Sequence, residues 1–249
     1  ANQSHPGNKG GGIYCGTYTS PLLSNLILKN NTAADAGQGI YATVSDVKIQ
    51  NCILEQNNGY GGAISFFSNC NASVTNSLII NNTGQNQGIR IYSSCNIDLV
   101  NCTILNNSTT NTAVSGGIYC GSSVLNVTNC IIRDNEDDDI TLSYATLNVS
   151  YSNIEGGQNG ISENDVSTIT WGSGNIDADP FFVDAANGDY RLLDYSPAIG
   201  AGTATGAPTT DITGVPNSRP MPSGSNPDMG AYENSNASPV PTVSSVTSP

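Results

Sequence analysis

The phrase VNCTILNNS, at residues 100–108, is written several times in this chain. QNCILEQNN begins at Gln50, TNSLIINNT at Thr75 and TNCIIRDNE at Thr128, with looser copies LSNLILKNN at Leu23 and YSNIEGG at Tyr151. Aligned on one column, Asn25, Cys52, Ser77, Cys102, Cys130 and Ser152 recur at intervals of 22 to 28 residues. A second phrase precedes each copy: GGIYC at Gly11, GIYA at Gly39, GAIS at Gly62, GIRI at Gly88, GIYC at Gly117 and DITL at Asp139. A period of this length demands stacked units, because one short unit cannot bury an apolar face by itself.

The units are strand-like. Val47 and Ile49, then Leu125 and Val127, alternate with polar residues, which is the period of a strand. Val, Ile and Thr favour strands, while Asn and Gly punctuate them. Stacking each unit ~4.8 Å above the last pairs every strand with its copy. The expected fold is all-β, a right-handed parallel β-helix of about six coils with an irregular C-terminal cap. In VKIQNCIL, residues 47–54, Val47 and Ile49 point inward and Asn51 takes the corner, since Asn tolerates left-handed backbone. Cys52 and Leu54 then point in again. Asn51, Asn76, Asn101 and Asn129 should stack as one amide ladder, and Asn30, Asn57, Asn82, Asn107 and Asn135 as a second.

Charged residues make up only 11% of the chain, against roughly 25% in ordinary domains. The net charge is −13 with only seven Lys and Arg. That balance argues against nucleic acid, whose phosphates need a basic surface, and against anionic membrane surfaces. No apolar run approaches the ~20 residues of a spanning helix, so membrane insertion is not expected. The composition points to an extracellular or cell-surface protein. Candidate N-glycosylation sequons include Asn30, Asn71, Asn81, Asn106, Asn126, Asn148 and Asn236, a weak signal in an Asn-rich chain. Seven Cys is an odd number and the single His is His5, so no zinc pattern is expected. Cys70 and Cys95 lie in turns one coil apart, within disulfide reach, and are the favoured bridge.

After Tyr151 the repeat loses register. Residues 1–160 read as β-helix repeats, 161–233 as a C-terminal capping region and 234–249 as a Ser/Thr/Pro-rich tail or linker. GNIDADPFFVD from Gly174, NGDYRLLDYSPAIGAG from Asn187 and PDMGAYE from Pro227 closely resemble the segment that follows secreted right-handed β-helix repeats of the choice-of-anchor Q type. The resemblance covers residues 12–233. It implies secretion or surface display and no single activity. Trp171, Phe181, Phe182, Leu192, Leu193, Ile199 and Tyr232 offer apolar cover for the place where the coils end. Asp177, Asp179, Asp184, Asn187 and Asp189, and the run RDNEDDDI from Arg133, are candidate Ca²⁺ ligands, with turn and capping roles as the plainer reading. No other metal or cofactor is expected.

No catalytic residue is assigned. Pectin-hydrolase relatives would carry clustered Asp pairs, Gly-His-Gly and Arg-x-Lys, and none occurs. A binding face has more support. If Ile points inward in GIYC, then Tyr14, Tyr41, Ile64, Arg90, Tyr119 and Thr141 form one outward column. Tyr14, Tyr41 and Tyr119 offer rings to a sugar and Arg90 a cation to an acidic one. Alternatively the cap, the tail or a neighbouring subunit covers this stripe. A first coil starting by Gly10 leaves no room for a capping helix, so the bare end is either cut from a longer chain or covered by a partner, and a homo-oligomer or filament built by end-to-end contacts is expected. The expected function is a non-catalytic extracellular structural or adhesive surface protein, including a self-assembling fibre subunit. The alternative is a carbohydrate-binding or polysaccharide-lyase-like β-helix.

Overall fold

The computed structural model describes residues 9–85, 88–110, 116–215 and 217–240. His5 and residues 241–249 of the tail therefore lie outside the described residues. The chain winds as a right-handed parallel solenoid of about six coils. Its first face holds seven strands, from Ile13–Cys15 through Ile40–Thr43, Ile64–Phe67, Ile89–Tyr92, Ile118–Gly121 and Ile140–Ser143 to Ile161–Glu163. The second face also holds seven, from Leu22–Ser24 to Thr168–Trp171, and the third holds six, from Ile27–Lys29 to Asn153–Ile154. No α-helix occurs among the described residues.

Identical columns explain the register. Ile40, Ile64, Ile89, Ile118 and Ile140 stack in one inward file and are fully buried. Ile49, Val74, Leu99, Val127 and Val149 form a second, and Leu54, Ile79, Ile104 and Ile132 a third. Each such side chain contributes about 1.5–3 kcal/mol of burial. A slip of one residue would turn a whole file outward.

The second-to-third corner is made by residues with left-handed backbone: Asn25, Asn51, Asn76, Asn101, Asn129 and Tyr151, with φ between 48 and 56°. Asn25 thus belongs with Asn51, and Leu26 shares the column of Cys52, since Ile27 pairs with Ile53. The next position needs a small acceptor, because the corner turns its neighbour's N–H inward. Cys52 N–H donates to Ser77 Oγ at 3.1 Å, Cys102 N–H to Cys130 Sγ at 3.5 Å and Cys130 N–H to Ser152 Oγ at 3.1 Å. This is why the repeat alternates between Cys and Ser there.

The second amide ladder is internal. It begins at Asn31, not Asn30: Asn30, with Gln56, Asn81 and Asn106, takes the left-handed turn and leaves the next residue to stack. Asn31, Asn57, Asn82 and Asn107 each donate their Nδ2 to the next Oδ1, at 2.9–3.0 Å, as far as Asn135. Asn135 donates to Asp139 Oδ1 at 2.7 Å, so a carboxylate ends the ladder.

The coils continue beyond residue 160. Ile161–Glu163 and Thr168–Trp171 pair in parallel with the strands before them, and Ser152 N–H donates to Asn175 Oδ1 at 3.0 Å. The remaining segment is irregular. It folds back along the flank of the third face, where the antiparallel strands Phe182–Asp184 and Asp189–Leu192 help to bury that face's outward residues. Leu78, Ile80 and Leu105 pack with Tyr190 and Ala231, and Ile131 packs with Leu192, Ala198, Ile199 and Met229. Trp171 packs instead against the solenoid core, and Phe181 is exposed.

This flap is pinned to the corner Asn residues. Asn76 Nδ2 donates to Thr210 O at 2.7 Å, Asn101 Nδ2 to Asp228 O at 2.9 Å and Asn129 Nδ2 to Thr203 O at 2.8 Å. The outer ladder therefore links Asn25, Asn51 and Asn76, then Asn101 and Asn129, while its middle members hold the flap. Gly230 (φ 88°) must be glycine, since a Cβ there would lie 2.8 Å from Ile131 Cδ1 and 2.9 Å from Thr103 Oγ1. Arg219 fills the seam, with Nη1 donating to Asn76 Oδ1 at 3.0 Å and Nε 2.8 Å from Glu233 Oε2, both side chains fully buried.

Candidate functional site

The flap leaves the first face open, and that face carries the aromatic residues. Its outward column runs Tyr14, Tyr41, Ser65, Arg90, Tyr119, Thr141 and Ser162. Ile64 is not in it. The GGAIS stretch places Ala63 level with Gly39, so Ile64 joins the inward file and Ser65 faces out. Two residues further on lies a second outward column: Thr43, Phe67, Tyr92, Gly121 and Ser143. Phe67 and Tyr92 were not expected from the sequence. Their signal was the apolar–polar alternation in ISFF and IRIY, where the fourth residue shares the side of the second.

The rings form two groups. Tyr14 stacks on Tyr41, centroids 5.6 Å apart and planes 18° from parallel. Phe67 stacks on Tyr92 at 6.1 Å, and Tyr92 on Tyr119 at 6.4 Å. The second stack steps diagonally between columns because Gly121 has no side chain. A Cβ there would meet Tyr92 Cδ2 at 2.6 Å and Tyr119 Cε1 at 2.9 Å. Centroid distances beyond the ~4.8 Å coil rise mean offset stacking. Ring edges and hydroxyls are thereby turned outward, with Phe67 40% and Tyr92 37% exposed.

Arg90 stands beside the second group, between Ser65 and Tyr119 in its column, its Cζ 5.9 Å from the Tyr92 centroid. Like Lys48, it has no carboxylate partner among the described residues, whereas Lys9, Lys29, Arg133, Arg191 and Arg219 each have one. Neither outward column contains an acid from Tyr14 to Ser143. At the other end Lys9 Nζ lies 5.4 Å from the Tyr41 centroid. Tyr41 is buried, and burial pushes its hydroxyl up from the usual value, against a smaller opposing effect of Lys9. The four candidates Tyr14, Tyr41, Arg90 and Tyr119 thus share one face, with Tyr41 recessed.

The remaining candidates fall elsewhere. Cys70 and Cys95 are free thiols. They occupy adjacent coils in an inward file, where Cys95 Sγ accepts the Cys70 N–H at 3.4 Å and Cys95 N–H reaches Ser123 Oγ at 3.1 Å. The sulfurs act there as ladder acceptors, as Ser does one coil on. Burial pushes Cys15 up to about 11 and Cys120 to about 12, so neither supplies a thiolate near neutral pH. Asn30, Asn71 and Asn106 are exposed, whereas Asn81, Asn126, Asn148 and Asn236 are half-buried, with Asn148 Nδ2 donating to Asn126 Oδ1 at 2.8 Å. The acidic loop after Gly174 is used locally. Asp177 pairs with Arg133, Asp179 accepts the Phe181 N–H, and Asp184 accepts Asn187 Nδ2. Among the described residues no three His, Cys, Asp or Glu side chains are gathered to hold a metal.

Residues 2–104 match the family model described as right handed beta helix region. None of the curated proteins and none of the solved structures compared with the chain matches it. Strand register over every coil and a family match over the first four converge on one description: the molecule is an all-β, right-handed parallel β-helix.

Proposed function

We propose that this chain is a non-catalytic, extracellular β-helix with an adhesive role, holding acid-bearing polysaccharide along its first face. The reading is carried by Arg90, a cation without a carboxylate partner among the described residues, set against the Phe67–Tyr92–Tyr119 stack in a column that holds no acid, on a chain with net charge −13. A uronate-type carboxylate fits the planar guanidinium. Sugar C–H edges fit the offset rings, and sugar hydroxyls fit the Thr43 hydroxyl beside them. Affinity electrophoresis through uronate-bearing and neutral polysaccharides tests this. Wild type should be retarded by the charged polymer, and Arg90→Ala or Tyr92→Ala should remove at least about 1–2 kcal/mol of that binding. Equal retardation of wild type and Arg90→Ala would overturn it. Release of reducing ends or unsaturated products by wild type, with calcium present, would replace binding with catalysis.

A second reading, end-to-end assembly, is favoured by one observation. The coil holding Leu22–Ser24 and Ile27–Lys29 has strands paired on one side only among the described residues, and it exposes Leu22 at 59% and Ile27 at 69%. Negative-stain imaging of the full chain should show rods longer than one molecule. A uniform monomer field removes this reading and leaves the glycan face untouched.

A further inference from the structure

The inner amide ladder ends irregularly. After Asn135 the next coil supplies the Gly156–Gly157 turn in place of an Asn, and Asp139 folds back to take its role. Asp139 Oδ1 accepts Asn135 Nδ2 at 2.7 Å and Asn135 N–H at 3.3 Å. Oδ2 has no hydrogen-bond partner, although the residue is only 4% exposed. An amide there would place a donor at that position, but a carboxylate places a second bare oxygen. The nearby Glu155 N–H is donated to Ile132 O at 3.2 Å and acts on the Asp139 carboxylate only as a minor influence.

Asp139 lines a recess of about 160 Å³ together with Asn135, Asp137, Asp138, Glu155 and Gly160. Four acidic residues thus border one small space. The cation close by is Arg133, committed to Asp177 at 2.9 Å and to Glu155 Oε1 at 3.8 Å. Glu155 Oε2 also accepts the Asp134 N–H at 2.8 Å, which leaves Asp137 and Asp138 uncommitted through their side chains among the described hydrogen bonds. A buried, unpaired carboxylate oxygen calls for a positive partner. Hard oxygen donors, a flexible turn and room for an ion with several waters match calcium better than smaller or softer metals.

We propose that this recess is a calcium site, with Asp139 Oδ2 as the inner ligand and Asp137 and Asp138 drawn in from the turn to complete it. The side chains are not yet gathered around one point, so binding orders the turn and has the modest strength of extracellular calcium modules, with a Kd of roughly 10⁻⁴–10⁻³ M.

The test is equilibrium dialysis of the full chain against ⁴⁵Ca²⁺ at neutral pH and near-physiological salt, with a thermal melt in parallel. Wild type should take up one ion per chain and melt higher with calcium than with chelator. Asp138→Asn, on the turn, and Asp139→Asn should each weaken uptake at least about tenfold, while Asp98→Asn on the second face should not. Wild type without saturable uptake, or Asp98→Asn losing as much as Asp138→Asn, would overturn the site. So would Asp139→Asn retaining wild-type uptake, which would mean that Oδ2 carries only a proton.

Discussion

Asn107 spends every side-chain hydrogen-bonding group it has on its neighbours. Its Oδ1 accepts Asn82 N–H and Nδ2, and its Nδ2 donates to Ile79 O and Asn135 Oδ1. Truncation to Ala strands several buried groups, each costing about 1–3 kcal/mol. Asn107→Ala is therefore expected to lose about 3 kcal/mol or more in a urea titration. Asn51 makes a different case, because it is half-buried at the corner and its value lies in φ 52°. Asn51→Ala should lose about 1–2 kcal/mol, and Asn51→Gly should be close to neutral in the same titration. Recurring Asn made both ladders legible in the sequence, yet the pairs Asn30–Asn31, Asn81–Asn82 and Asn106–Asn107 show the limit. The first takes the left-handed turn and the second stacks inside, and two identical side chains in succession do not reveal which is which. Ile64 misled for a related reason: the extra residue in GGAIS shifts parity by one, and parity decides facing.

At the scale of elements, the strands were readable and the flap was not. Alternation predicts one buried face, but SLII at residues 77–80 and CIIR at 130–133 are continuous apolar runs, the mark of a strand covered on both sides. That signal names the covered strand and not the cover, which comes from Tyr190 and Ala231 for the first and from Leu192, Ala198, Ile199 and Met229 for the second, all far along the chain. The seam is electrostatically tense. Arg219 faces Glu233, with Asp211 and Asp228 close enough to act on it, and desolvation is the largest influence on Arg219, Glu233 and Asp228 alike. Arg219→Ala leaves a buried carboxylate unpaired, so about 3–5 kcal/mol of docking should be lost, with limited proteolysis cutting the flap before the coils. Asp228 is raised by burial to about 7 from the ordinary 3.8. Between those values the folded form holds a proton that the unfolded form has released. Its contribution is full below about pH 4 and lost as pH rises through about 7. Asp228→Asn should flatten this part of a melting-temperature profile taken from pH 4 to 8.

Across the whole molecule, stability adds coil by coil, but the flap ties several coils together. A chain ending at residue 176 should keep its strands by far-ultraviolet circular dichroism and expose Leu78, Ile80, Leu105 and Ile131. Binding of a hydrophobic dye, absent in the full chain, would report that exposure. The aromatic first face and the acidic recess at Asp139 lie on other flanks, so the proposed polysaccharide retardation should survive the truncation. The flap also grips Asn76, Asn101 and Asn129, which sit on consecutive turns of the solenoid. It is a gauge of fixed span. Duplicating residues 26–51 in tandem would lengthen the rod above the gauge and add platform without disturbing it. An equal insertion between Asn76 and Asn101 would pull its anchor points apart by one coil rise. Tandem growth is therefore tolerated toward the amino-terminal end alone.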